Sequence, residues 1–252
     1  MGRTISGTER LPKDQQERIV HKINEIIVET FINPGDADYV TARFLYLGGS
    51  YRAFFWPALQ AIEKYLKANF LFNGVSVKSR LFGHNISWMA EKLNNEYKVF
   101  ENVQLKPVGE HSYLEEIHIW GSSDPMEYIR SIEKFGKASN RYNYFGAAYE
   151  ASYLAKLDQI VKILRSHCIL NYPLFGTGKK ESFDYAAFEQ NFPFAPVEYK
   201  QGSMFGKFAA GGSTPSIEIA LKGLYGNPKI FENWLLENIY IQESEIGAIK
   251  AR

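Results

Sequence analysis

Apolar positions repeat with helical spacing through the first part of the chain. Over residues 13–31 they recur at intervals of three and four, which predicts one amphipathic helix that ends at Asn33-Pro34-Gly35. The period resumes at Asp36 and weakens at Gly48-Gly49, and Pro57 restricts the residues before it. Residues 36–57 are therefore predicted to form either one long, interrupted helix or two stacked helices.

The clearest pattern is a helical hairpin over residues 56–93. Its first helix has an apolar seam, a surface ion pair between Glu63 and Lys67, and a stop at Gly74. Its second helix covers about residues 85–94 and begins directly after Gly83-His84. The inward-facing residues of the two helices are Leu59, Ile62, Leu66 and Phe70, then Ile86, Met89, Ala90 and Leu93.

Further helices are predicted over residues 125–135, 147–170 and 229–237, and the first of them begins at Ser122-Ser123-Asp124-Pro125. The last should bury Ile230, Trp234 and Leu235. Residues 97–107 look irregular or extended, and residues 113–120 fit both a helix and a strand. Gly, Pro, Ser and Phe dominate residues 173–215, which are predicted to be rich in loops.

These elements predict an all-α protein in three parts. Residues 1–35 form an N-terminal helix, residues 36–171 form a helical bundle, and residues 172–252 form a loop-rich extension that ends in a helix packed on the bundle. The 252 residues are 45% hydrophobic, but no apolar run is long enough to cross a membrane and the N-terminus lacks the apolar centre of a secretory signal. We therefore expect a cytoplasmic protein without a membrane partner.

Net charge and cysteine content exclude further classes of function. A net charge of +1 argues against salt-driven coating of nucleic acid by the whole surface. Cys168 is the only cysteine, which excludes an internal disulfide. Its spacing from Ile160 and Leu164 predicts a buried thiol rather than a nucleophile.

Three segments of the hairpin together resemble the HEPN family (higher eukaryotes and prokaryotes nucleotide-binding domains). They are Ala61-Ile62-Glu63-Lys64-Tyr65-Leu66-Lys67-Ala68, then Asn73-Gly74, then His84-Asn85-Ile86. The likeness covers roughly residues 36–171 and includes Arg141-Tyr142 and the helix that follows them. It implies an antiparallel bundle of four or five helices.

Catalytic members of that family cut RNA with an arginine and a histidine that are separated by four to six residues. Here three residues separate Arg80 from His84, one fewer than that pattern, and Gly83 between them indicates a turn. A histidine can move protons to and from ribose and leaving oxygens, and an arginine can stabilise the charged transition state. A metal-independent endoribonuclease is thus one interpretation. A structural role for His84, capping the helix or bonding a backbone carbonyl, is another.

Non-catalytic members bind nucleotides or act as partner subunits, often as dimers and sometimes with a nucleotidyltransferase. The resemblance implies phosphate donors and stacking rings from a set of later residues beside Arg80 and His84. This set is Asn85, Arg141, Tyr142 and Tyr144. We expect a homodimeric nucleotide- or RNA-binding module of a defence or toxin–antitoxin system, without a cofactor, rather than an enzyme. A helical scaffold without small-molecule chemistry is the third interpretation.

One further group has the composition of a metal site. On a helix, His111, Glu115 and His118 would share a face, and two imidazoles with a carboxylate can bind zinc or iron. On a strand this geometry fails. Because no second group of acidic residues and histidines accompanies them, we predict no metal site.

Overall fold

A computed structural model describes residues 8–106, 120–138, 140, 152–168 and 228–241. Within these residues the chain forms α-helices, a π-helical turn at Val28–Ile32 and a 3-10 turn at Arg80–Phe82, and no strand. The helices are α1 (Lys13–Ile27), α2 (Asn33–Leu47), α3 (Tyr51–Phe72), α4 (Ile86–Tyr97), α5 (Pro125–Gly136), α6 (Tyr153–Cys168) and α7 (Pro228–Asn238). The all-α prediction is confirmed. None of the described helices is long and apolar enough to cross a membrane.

Helix α3 is the centre of the bundle. It packs against α2, α4, α5 and α6, and it is also in contact with α1. Pro57 lies inside α3, which begins at Tyr51. The residues before this proline are therefore helical, although Pro57 was expected to restrict them. The predicted seam of α3 is fully enclosed, with Leu59 at 1% exposure and Ile62, Leu66 and Phe70 at 0%. The neighbouring helices surround α3 on several sides, and two of its polar residues, Glu63 and Asn69, are also buried.

The predicted stop at Asn33-Pro34-Gly35 is wrong. Helix α1 continues through the π-helical turn directly into α2, and Pro34 stands in the first turn of α2, where it lacks the N–H that would bond to the preceding turn. Gly35 lies in close packing, because a Cβ there would be 3.3 Å from the Tyr65 ring. The helix ends instead at the predicted weak point, Gly48-Gly49, where Gly49 has φ +78°.

Both ends of the hairpin turn are capped, and the first cap is the predicted glycine. At the end of α3, Gly74 has φ +78°, its N–H donates to the Leu71 carbonyl at 3.0 Å, and the Val75 N–H donates to the Phe70 carbonyl at 2.8 Å. Helix α4 starts after Asn85, and its four predicted inward residues, Ile86, Met89, Ala90 and Leu93, are all buried.

The later helices overlap their predicted ranges, and residues 147–151 and 169–170 of the second range lie outside the described residues. Asp124 caps α5 by accepting the Met126 N–H at 2.9 Å. Residues 98–106 form turns and irregular backbone, as expected. In α7, Trp234 and Leu235 are buried as predicted, whereas Ile230 is only partly buried and Phe231 takes the enclosed position. Both Phe231 and Trp234 pack into the common core, so α7 is part of the bundle.

A buried ion pair joins the start of α2 to the end of α6. Arg165 donates two hydrogen bonds to Asp36, from Nε to Oδ1 and from a terminal guanidinium nitrogen to Oδ2, both at 2.8 Å. The hydroxyl of Tyr65 on α3 donates to the same carboxylate. Burial and the nearby Asp36 charge raise the pKa of Tyr65, against the opposing effect of Arg165. Three helices are thereby tied at one buried carboxylate.

A second buried ion pair repeats this arrangement with the charges exchanged. Arg43 on α2 pairs with Asp158 on α6, and the Tyr39 hydroxyl donates to Asp158 at 2.6 Å. In both helices the acidic residue precedes the arginine by seven positions. Because α2 and α6 run in opposite directions at this contact, each acid meets the arginine of the other helix.

The single cysteine is buried, as the periodicity predicts. Cys168 is 4% exposed, and its sulfur lies 3.0 Å from the side-chain nitrogen of Asn69. Burial raises the pKa of the Cys168 thiol, which keeps it protonated and unreactive.

Candidate functional site

The loop between α3 and α4 is anchored by one aromatic residue. Phe82 is 7% exposed, and its ring lies edge-on to Phe70 at 5.0 Å and to Trp88 at 5.2 Å between ring centroids. The hydroxyl of Ser79 caps the 3-10 turn by accepting the Leu81 N–H at 3.3 Å. The turn therefore has a fixed position, while the residues on either side of Phe82 remain at the surface.

His84 leaves this turn and is held by a buried carboxylate. Its Nδ1 lies 2.7 Å from Oε2 of Glu63, and the other oxygen of Glu63 accepts a hydrogen bond from Lys67 Nζ at 2.7 Å. The His84 side chain is 70% exposed and that of Glu63 is 6% exposed. A surface imidazole is thus fixed by a partner inside the protein.

This contact determines which nitrogen of His84 faces a ligand. A carboxylate only accepts hydrogen bonds, so it assigns the proton of the neutral imidazole to Nδ1. Nε2 then carries a lone pair, and it has no partner among the described residues. In chemical terms, Nε2 can accept a hydrogen bond or a proton, and it becomes a donor when the ring is protonated.

The predicted surface pair of Glu63 and Lys67 is present, but its location at the surface is wrong. Glu63 is buried, and its carboxylate lies between Lys67 and His84. The prediction that His84 could cap α4 is also wrong. Asn85 is the cap, with its side-chain oxygen accepting the Trp88 N–H at 3.0 Å. One candidate ligand-binding residue therefore has a structural role at the helix start.

Arg80 does not share a helix face with His84. It lies in the 3-10 turn, and Gly83 separates that turn from His84, so the predicted turn is confirmed. The Arg80 side chain is exposed and makes no ion pair with the described residues. Its guanidinium is therefore available to an anionic ligand.

An aromatic ring borders the histidine. The centroid of the Trp56 ring lies 6.4 Å from that of His84, and the two planes are inclined by 49°. Trp56, Glu63 and Lys67 lie on one face of α3, because they are spaced by seven and four residues. Trp56 is partly exposed, so part of its side chain borders the surface beside His84.

Several predicted site residues lie outside the described residues. These are the ligand-binding candidates Arg141, Tyr142 and Tyr144 and the metal-binding candidates His111, Glu115 and His118. Across the part of the chain that is described, no group of three or more histidine, cysteine, aspartate or glutamate side chains could hold a metal ion.

Sequence reasoning missed the role of Glu63. His84 lies in the loop before α4, so its contact with Glu63 depends on the path of that loop and has no signal in the helical period.

Fold and site together define an all-α helical-bundle protein with a surface histidine fixed by a buried glutamate. Comparisons of the chain with models of protein families, with curated protein sequences and with solved structures find no match.

Proposed function

We propose that this protein is a HEPN-like module that binds a nucleotide or RNA. The observation that carries the proposal is the exposed His84 imidazole, which Glu63 holds through Nδ1 and which lies beside the Trp56 ring. A preorganised polar group next to an aromatic face suits a ligand that combines hydrogen-bonding groups with a flat ring. The all-α bundle agrees with the resemblance of the hairpin.

Each part of a nucleotide has a counterpart in this site. The base stacks on Trp56, His84 Nε2 accepts a hydrogen bond from an amino or hydroxyl group, and Arg80 binds a phosphate. Only one of these three residues is permanently charged. This agrees with a net charge of +1, which favours a discrete site over a continuous basic surface.

The proposal includes the assembly that the resemblance implies. The module acts as a cytoplasmic homodimer in a defence or toxin–antitoxin system and pairs with a nucleotidyltransferase. A neighbouring nucleotidyltransferase gene, or its product purified together with this chain, would support that partner.

Thermal stabilisation tests the binding function. The native protein is heated with ATP, GTP, CTP, UTP or a short single-stranded RNA. A ligand at about one hundred times its Kd should add about 2.7 kcal/mol to the free energy of unfolding. His84→Ala should remove the shift. His21→Ala is the matched control, because His21 is also exposed and lies 3.2 Å from a carboxylate, that of Glu25 on α1. No shift with any ligand, or an equal shift in His84→Ala, rejects the proposal.

A second candidate function is a metal-independent endoribonuclease. The contact between Glu63 and His84 favours it, because a carboxylate on Nδ1 orients a histidine for general-base catalysis at Nε2. The short spacing to Arg80 and the turn between them place it second. Cleavage of single-stranded RNA in the presence of EDTA is the measurement. His84→Ala should lower the rate by a factor of about 100 to 10,000, and unchanged cleavage excludes this function.

A further inference from the structure

The carboxyl end of α7 is bound to the loop that leads into the site. Three consecutive residues of this loop donate hydrogen bonds to the last three carbonyls of α7. The bonds join Ser76 Oγ to the Glu237 carbonyl at 2.9 Å, the Val77 N–H to the Asn238 carbonyl at 3.0 Å and Lys78 Nζ to the Leu236 carbonyl at 2.7 Å. The final carbonyls of a helix lack donors within the helix, and they attract a cation. The loop supplies the donors from residues 76–78 and the cation from Lys78.

Helix α7 provides a fixed anchor for these bonds. Phe231, Trp234 and Leu235 are each 5% exposed or less and pack into the common core. Val77 is also 5% exposed and belongs to the same apolar core. A helix from the far end of the sequence therefore sets the position of residues 76–78.

Arg80 lies between two fixed points of the loop. On one side Val77 is held by α7, and on the other Phe82 is buried between two aromatic rings. The turn between them is closed by hydrogen bonds from Phe82 N–H to the Ser79 carbonyl at 2.9 Å and from Gly83 N–H to the Arg80 carbonyl at 3.0 Å. With both ends fixed, the backbone of Arg80 has one position.

We propose that α7 is a positioning element for Arg80. By holding residues 76–78, it presents the Arg80 guanidinium to the phosphate of the ligand that His84 binds. This inference rests on the proposed nucleotide- or RNA-binding function. Ser76 and Lys78 are positioning residues, since they contact α7 and act on the ligand through Arg80.

Amide hydrogen exchange tests, without a ligand, whether α7 holds the loop in place. In the full-length protein, Ser76→Ala combined with Lys78→Ala should speed exchange at Leu81, Phe82 and Gly83 by about fivefold, because two exposed side-chain hydrogen bonds that hold the loop are lost. Lys92→Ala is the matched control, because it removes an exposed lysine that pairs with Glu96 on α4. Unchanged exchange at these three amides overturns the proposal.

A double-mutant cycle tests the link to the ligand. Affinity for the member of the nucleotide and RNA panel that binds best is measured with and without Arg80→Ala. The Ser76→Ala and Lys78→Ala pair should weaken binding about fivefold when Arg80 is present, and should have no effect in Arg80→Ala. An equal loss in both backgrounds overturns the positioning role. If the native protein binds no member of the panel, the proposed function fails, and the exchange measurement alone decides the role of α7.

Discussion

Replacing Asp158 by alanine tests how the second buried ion pair contributes to the bundle. Asp158 is 1% exposed and accepts from Arg43, which is 4% exposed, and from the hydroxyl of Tyr39, which is fully buried. Removing one partner of a buried ion pair costs about 3–5 kcal/mol. We therefore expect Asp158→Ala to lower the free energy of unfolding by at least about 3 kcal/mol. That is a large share of the roughly 5–15 kcal/mol typical of a folded domain.

We expect the opposite effect when Tyr39, Arg43 and Asp158 are all replaced by apolar residues. Burying two charges has a desolvation cost, so an apolar replacement of similar volume is often neutral or stabilising. The triple variant Tyr39→Phe, Arg43→Met and Asp158→Leu leaves none of the three polar groups behind. It should recover most of the stability that Asp158→Ala loses.

Urea unfolding followed by circular dichroism at the helical band measures both variants. Glu96→Ala is the control, because its pair with Lys92 is exposed and should contribute no more than about 1 kcal/mol. A loss below about 1 kcal/mol in Asp158→Ala would refute the argument. A triple variant as unstable as the single one would show that packing, and not the unpaired charge, determines the loss.

Three further predictions concern other buried positions. Cys168 should resist Ellman's reagent in the folded protein and react only in denaturing urea, because burial raises its pKa; fast reaction without urea would contradict this. Gly136→Ala should cost about 1–3 kcal/mol in urea unfolding, since a Cβ there would lie 2.7 Å from the Phe55 carbonyl and 2.8 Å from Leu59 Cβ. Burial also raises the pKa of Tyr128. The stabilisation of the fold by its protonated hydroxyl is therefore fully present below the ordinary tyrosine pKa of about 10, and above that pH it is lost at about 1.4 kcal/mol per pH unit. Tyr128→Phe should remove this part of the slope, and an unchanged slope would be evidence against it.

The positions of most helices could be predicted because their signals are local. Asp124 before Pro125, Asn73 before Gly74, and Asn85 before the α4 period each mark a helix end by their own chemistry. Gly35 could not be interpreted in this way. Its role depends on Tyr65, which approaches from another helix, and a glycine placed for close packing looks the same in sequence as one that ends a helix.

The candidate site was predictable in part. His84 and Arg80 are visible because a histidine and an arginine stand at a predicted helix entrance. The role of Glu63 was missed, because its burial and its contact with His84 follow from the tertiary fold and not from the period of α3. The contact between Ser76 and Glu237 spans 161 residues and has no signature in either segment. Such contacts follow from tertiary packing and not from periodicity.

The π-helical turn at Val28–Ile32 fixes the rotational phase between α1 and α2. A π-helical turn holds one residue more than an α-helical turn, and each residue of an α-helix rotates the next by about 100°. Deleting one residue from the turn would convert it to an α-helix and rotate α1 by about that angle relative to α2. Ile23 and Ile27, now fully buried, would then leave the core while α2 kept its place. The length of this segment is therefore as strictly constrained as the identity of the apolar residues on either side of it.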